Sequence, residues 1–171
     1  MFDLIILATL FDGPKHGYQL KREAGFILGQ DNLHNNLIYP LLKRFTSDGW
    51  VTRKATPGQR GQTRQQYAIT PLGKKTLIQR LNEFSEADAK SFEAFVVRVG
   101  MFELLDVHSR TRILSAREGH LQQRVQNLEI LAQKVDLGIY GAEVVGFFQE
   151  RIQSELSWIR RLRRLAKSEE S

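Results

Sequence analysis

Residues 35–73 read NNLIYPLLKRFTSDGWVTRKATPGQRGQTRQQYAITPLG, and the change of period along this stretch decides the fold. Its first part places Leu37, Leu41, Leu42 and Phe45 at helical spacing, which predicts a helix with those residues on its inner side. Asn35 or Asn36 can cap that helix, and Pro40 is tolerated in its first turn because early amides lack partners. Ser47, Asp48 and Gly49 end it. Trp50 to Ala55 then mixes apolar and basic residues as a strand does, and Thr56 to Gln62 supplies turn residues without hydrophobic content. Thr63 to Ile69 predicts a second strand with Tyr67 and Ile69 on one face. Thr70 as cap and Pro71 at the first helical position open a further helix, running to about Phe84.

Outward from this stretch, Leu4 to Phe11 predicts a short apolar helix stopped by Asp12, Gly13 and Pro14. A second helix spans about His16 to Leu28, with Tyr18, Leu20, Ala24 and Ile27 as apolar positions, and residues 29–33 form a polar connection. The order α-α-α-β-β-α, with a basic turn between the strands, is a winged helix-turn-helix, assigned to residues 1–84. Residues 85–171 carry no hairpin signal. Phe92, Phe95, Val96, Val99 and Phe102 recur at helical spacing. So do two longer series, broken at residues 136–141. One includes Ile113, Leu121, Val125 and Leu128; the other includes Val145, Phe148, Ile152, Leu156 and Ile159. Their spacing of mostly three and four resembles a coiled-coil seam, so the mainly α fold ends in a pair of long antiparallel helices. Leu121, Val125, Leu128, Val145, Phe148, Ile152, Leu156 and Ile159 are the expected dimerisation residues; a purely intramolecular hairpin is the other reading of the same stripe.

Charge divides along the same line. Residues 1–82 hold twelve Lys and Arg against five Asp and Glu, whereas residues 83–171 hold thirteen against fourteen. A basic head on a near-neutral body suits a polyanion partner, though a solvated basic surface gives the same count. The chain has no cysteine, which removes disulfides and thiolate chemistry and fits a reducing cytoplasm. The apolar run from Leu4 to Leu10 lacks the basic flank of a signal peptide, and no stretch approaches the ~20 apolar residues of a membrane span. His16, His34, His108 and His120 lack helical metal-pair spacing, and neither a phosphate-cradling loop nor a G-x-S-x-G motif is present. No enzyme activity, metal or cofactor is expected.

Four segments carry a resemblance. Residues 13–20 read GPKHGYQL, residues 38–45 IYPLLKRF, residues 48–51 DGWV and residues 67–73 YAITPLG. In this order and spacing they resemble the PadR family of winged-helix regulators, and the C-terminal helices are similar in plan to those through which longer members dimerise. Asn36 and Leu37 depart from the small residue and Ser or Thr usual there, so operator preference does not carry over; Phe45 replaces a Leu.

The resemblance implies a homodimer that binds double-stranded DNA, with the third helix in the major groove. That helix offers His34, Asn35, Asn36, Tyr39 and Lys43 on its N-terminal outer face. Asn reads adenine and Lys reaches guanine acceptors, so one of Asn35 and Asn36 reads a base while the other caps the helix. The resemblance puts Tyr39 at the DNA backbone, with packing on the second helix as its other role. Arg44 faces phosphates or is simply solvated. Arg53, Lys54 and Arg64 flank the wing turn, and Arg60 at its tip suits the minor groove. Lys15, Lys21 and Arg22 are expected phosphate contacts, and His16 either fixes the turn or meets a phosphate. Trp158, Phe147, Phe148 and Tyr140 are candidates for a pocket between subunits that binds a small flat aromatic effector, with plain core packing as the alternative. The other reading of the basic head is a protein-interaction module.

Overall fold

A computed structural model describes residues 2–27, 29, 34–57 and 63–168. The chain forms two compact units, Met1–Glu83 with Val96–Leu104 and Phe84–Phe95 with Leu105–Ser171.

In the first unit, helix α1 (Phe2–Thr9) is apolar almost all round, a pattern satisfied only by enclosure on several sides. Ile5, Ile6 and Leu7 are fully buried, and α2 (Gly17–Ile27) and α4 (Pro71–Asn82) pack against the helix. Helix α3 (Asn35–Ser47) turns Ile38, Leu42 and Phe45 inward. Leu37 and Leu41, expected on that side, are only half-buried, and Ile38 takes their place. The capping position of α3 is His34, which makes no side-chain cap bond, so neither Asn35 nor Asn36 is the cap. Starting there puts Pro40 in the second turn rather than the first.

The wing strands β2 (Val51–Pro57) and β3 (Thr63–Ile69) pair antiparallel from Val51 opposite Ile69 to Pro57 opposite Thr63. A two-residue strand β1 (Lys15–His16), whose His16 the sequence reading gave to the start of α2, completes a sheet of order β1-β3-β2. Two residues have no period to detect; the strand exists because the β3 edge offers Tyr67 and Gln66 as partners.

The joint from β3 to α4 follows sequence logic. The Thr70 hydroxyl accepts from the Gly73 amide at 3.0 Å and caps α4, and its proton is shared between the carbonyls of Gly49 and Trp50. Gly73 packs so closely on Trp50 that a Cβ there would lie 2.1 Å from the Trp50 carbonyl oxygen. Asp3 ties three helices together, accepting from Arg44 at 2.5 Å and Arg80 at 2.7 Å. Val96–Leu104, which the sequence reading left with the second half, belongs to this unit. Val97 and Met101 are buried, and Arg98 donates to the Glu83 carbonyl at 2.8 Å.

The second unit is built on an antiparallel pair, α7 (Val107–Lys134) and α8 (Gly138–Ser168). Asp106 caps α7 by accepting from the Ser109 amide at 2.7 Å, and that bond lowers the carboxyl pKa. Gly138 adopts a left-handed φ of +59° at the start of α8, a conformation glycine takes without strain. Helix α5 (Glu86–Lys90) begins with a Ser85–Asp88 capping box, and α6 (Phe92–Val99) runs from this unit into the first. In the hairpin, Arg117 donates to both carboxylate oxygens of Glu155, at 2.7 and 3.0 Å, and to the Ala89 carbonyl at 2.7 Å.

Candidate nucleic-acid interface

Burying Ile38, Leu42 and Phe45 leaves one outward stripe on α3. His34, Asn35, Asn36, Tyr39 and Lys43 are all exposed on it. Asn35 accepts from the Lys21 ammonium at 3.0 Å, which joins α3 to α2 and leaves its amide nitrogen as a donor. The Tyr39 ring lies against α2, where a Cβ on Gly17 would be 3.3 Å from its hydroxyl. Packing and exposure are therefore both true of Tyr39: one edge supports the helix pair and the other faces solvent.

The basic residues divide by what already holds them. Lys15 pairs with Glu23 at 2.8 Å and is mostly covered. Arg44, expected to face phosphates or solvent, instead pairs with Asp3. The Asp3 carboxylate is fixed by Arg80 as well, so moving Arg44 outward breaks an ion-pair network. Arg53 on β2 donates to the Gln65 side chain at 2.9 Å, and Arg64 lies over the Tyr18 ring with 5.8 Å to its centroid. Among the described residues, Arg22, Lys43 and Lys54 are exposed and have no hydrogen bond or ion pair. Arg60 lies outside the described residues.

Between α2, α3 and β3 an open groove of about 620 Å³ is lined by His16, Tyr18, Tyr39, Arg64 and Tyr67 among others. His16 belongs to the sheet: its ring nitrogen Nδ1 lies 3.3 Å from the Gln65 carbonyl and its amide donates to the Gln19 side chain. Its ring stacks on Tyr18, with centroids 6.0 Å apart. Burial pushes the Tyr67 phenol pKa up, Arg53 pulls it down and Tyr39 adds a smaller upward push. Tyr18, read from sequence as one of the apolar positions of α2, is 53% exposed. The signal was available: Tyr18 is two residues, about 200°, around α2 from buried Leu20.

Residues 6–79, which span this helix-turn-helix and wing, match the transcriptional regulator PadR-like family. Through this domain the chain belongs to the PadR-like family. Solved structures similar to the PadR-like chain include the Thermoplasma acidophilum protein TA0346, 35% identical over 46% of this chain and 75% of that one, with a TM-score of 0.43. Bacillus subtilis PadR, crystallised with operator DNA, is 20% identical over 96% of this chain and 98% of its own, with a TM-score of 0.48. A PadR-family regulator from Clostridium difficile is 24% identical over 48% and 85%, with a TM-score of 0.42. No curated protein sequence matches the chain. Among the described residues, no helix is long and apolar enough to cross a membrane and no group of three His, Cys, Asp or Glu could hold a metal ion.

Outside the PadR-like domain, the hairpin covers part of its own apolar stripe. Of the residues assigned to the dimer seam, Leu121, Val145, Ile152, Leu156 and Ile159 are buried within the single chain, while Val125, Leu128 and Phe148 are half-buried. A stripe at coiled-coil spacing names a face and not its occupant, and here α7 and α8 occupy each other. Other apolar residues are left exposed: Ile130, Leu131, Val135, Ile139, Tyr140, Val144 and Phe147 at the far end of the hairpin, and Leu165 near the end of α8.

Within one chain the candidate effector residues lie apart. Tyr140 and Trp158 are eighteen residues apart on α8, about 27 Å at 1.5 Å per residue. Trp158 packs edge-on against Phe95 at 5.7 Å between centroids, while Tyr140 is 85% exposed. Three or four residues of spacing keep side chains on one face, but distance along the helix still separates them.

Proposed function

We propose that this PadR-like protein is a cytoplasmic, sequence-specific repressor that binds duplex DNA as a homodimer. One observation carries the reading: α3 buries one face and turns outward an uninterrupted polar one, Asn35, Asn36, Tyr39 and Lys43, beside exposed Lys54 and Arg22. A helix with that edge fits the major groove, where an Asn amide pairs with adenine N6 and N7 and a Lys with guanine acceptors. Arg53 and Lys54 follow the phosphates beside it, and positioning contacts of this kind fix register without reading sequence. Two copies present two α3 helices about one turn of DNA, 34 Å, apart, and so read a pseudo-palindrome.

The exposed apolar end of the hairpin supports self-association. Ile139 is 76% exposed and Tyr140 more so, on a face with no covering element among the described residues. Large exposed apolar patches of this kind mark protein contacts.

The experiment is selection of bound duplexes from a random pool, followed by affinity measured across a salt series. The expected log–log slope is about −0.9 for each phosphate neutralised. A shallow slope, with no enriched sequence, assigns the basic face to a protein partner instead and overturns the proposal.

A further inference from the structure

Opposite faces of the hairpin meet in a cavity of about 280 Å³ that the DNA reading does not use. Arg117, His120, Leu121 and Arg124 on α7 and Phe148, Arg151, Ile152 and Glu155 on α8 each follow the i, i+3, i+4, i+7 spacing of a single helix face, and all eight line it. Its floor is the buried Arg117–Glu155 pair, with side chains only 5% and 8% exposed. That pair is neutral as a unit and has its hydrogen bonds made.

The mouth is different. Arg124 lies over the Phe148 ring at 5.4 Å and Arg151 over the Phe92 ring at 5.5 Å. Among the described residues neither guanidinium has a hydrogen bond or ion pair. A guanidinium laid on a ring keeps its N–H edges directed outward, the geometry that receives a planar or tetrahedral oxyanion in a fork. Lys90 adds a third cation at the rim, shared with Glu86 at 2.6 Å, and Glu93 is the one further carboxylate of the lining.

The geometry points to this cavity as a binding site for a compact phosphate-bearing anion, held between Arg124 and Arg151 above the Arg117–Glu155 pair. Both phenyl rings already carry a guanidinium on one face, so charge and not ring stacking is what the mouth offers. A phosphate monoester, with about −1.5 to −2 charge at neutral pH and three acceptor oxygens, matches two unpaired forks better than a monocarboxylate does. His120 supplies an internal reporter. Its pKa is lowered by desolvation first, then by Arg117, Arg124 and Lys90, while Glu155 raises it; Glu86, Glu93 and Arg151 are the remaining charges at this site. A bound anion favours the imidazolium, so His120 titrates at higher pH when the site is filled.

The test uses the full chain at constant ionic strength, without DNA, so that it succeeds or fails independently of the repressor reading. Inorganic phosphate and glucose 6-phosphate are titrated by calorimetry, with benzoate as the aromatic comparison. Binding by both phosphates, or by the ester alone, weakened at least tenfold in Arg124→Gln and Arg151→Gln but unchanged in Arg160→Gln, is the expected result. Proton NMR of His120 with and without phosphate then shows its titration moved upward. No heat with either phosphate, equal binding in the Arg124 and Arg151 variants, or benzoate bound as tightly as the ester overturns the assignment.

Discussion

The two units differ in which of their unpartnered residues cluster. In the winged-helix unit Ile5, Leu7, Phe45 and Leu77 are enclosed, Phe26 and Leu72 stay exposed, and amides and cations line the outer side of α3 and β2. In the hairpin unit Arg117 pairs with Glu155 and Arg163 with Glu118, Arg124 and Arg151 lie on aromatic rings, and Ile139, Tyr140 and Phe147 are exposed at its far end. A surplus of unpaired cation and amide suits a polyanion, and a surplus of apolar surface suits another protein. What each unit fails to satisfy within itself is the better guide to its partner than what it contains.

The largest effect should come from breaking the charge pairing of the hairpin. Glu155→Ala leaves Arg117 buried without its carboxylate, and thermal or denaturant unfolding should show a loss of about 3–5 kcal/mol. Replacing both partners, as Arg117→Met with Glu155→Leu, should recover much of that loss, because the desolvated charge is then gone. If the single variant is as stable as the parent, the hairpin does not depend on that pair.

Gly73→Ala tests the tight joint of the other unit. A Cβ that close to Trp50 forces α4 off the wing, and about 3 kcal/mol of stability should be lost, as for other overpacked sites. A similar stability would mean that the joint yields easily.

The contrast itself is sharpened by paired surface variants. Ile139→Asp combined with Phe147→Asp should shift the protein from dimer to monomer in sedimentation, weakening self-association by about 2 kcal/mol or more, with the melting of the monomer little changed. Lys43→Ala should cost about 1–3 kcal/mol for a selected duplex and little for a random one if it reads a base, or weaken both alike if it meets a phosphate. Its loss with no effect on either duplex removes it from the interface. Exchanging the outcomes, with Lys43 altering oligomeric state or Phe147 altering salt dependence, would break the division of labour between the units.

The smallest effect is the pH response. His120 and Asp106 both titrate below their ordinary values in the folded chain, so the unfolded chain binds more protons as pH falls. For His120 the contribution to stability is complete above about pH 6.5 and fades as pH drops through its lowered folded value; for Asp106 the same loss begins below about pH 4. His120→Gln should flatten melting temperature between pH 7 and 5 by a small amount. A steeper dependence in that variant contradicts the sign.

Legibility followed the range of the interaction. Thr70 and Pro71 at the start of α4, the turn at Ser47 to Gly49 and the change of period after it are local preferences, and each is visible in a few adjacent residues. Strand β1 was not, because Lys15 and His16 become a strand only when β3 arrives beside them. Arg44 read as a free cation because its partner, Asp3, is far away in the chain. That α3 starts one residue early, with His34 at the N-cap position and no side-chain cap bond, was missed because Asn is the better capping residue by type.

By itself the amino-acid sequence determined the period of each segment, the winged-helix order and the concentration of positive charge in the first half, since periodicity, capping and net charge are properties of neighbouring residues or of simple sums. Tertiary structure decided which cations remain free, which apolar stripe is satisfied inside the chain, and that Arg117 meets Glu155 beneath Arg124 and Arg151. Those outcomes depend on which side chains come within a few ångströms of each other after the chain has folded back, and spacing along the chain does not carry that distance.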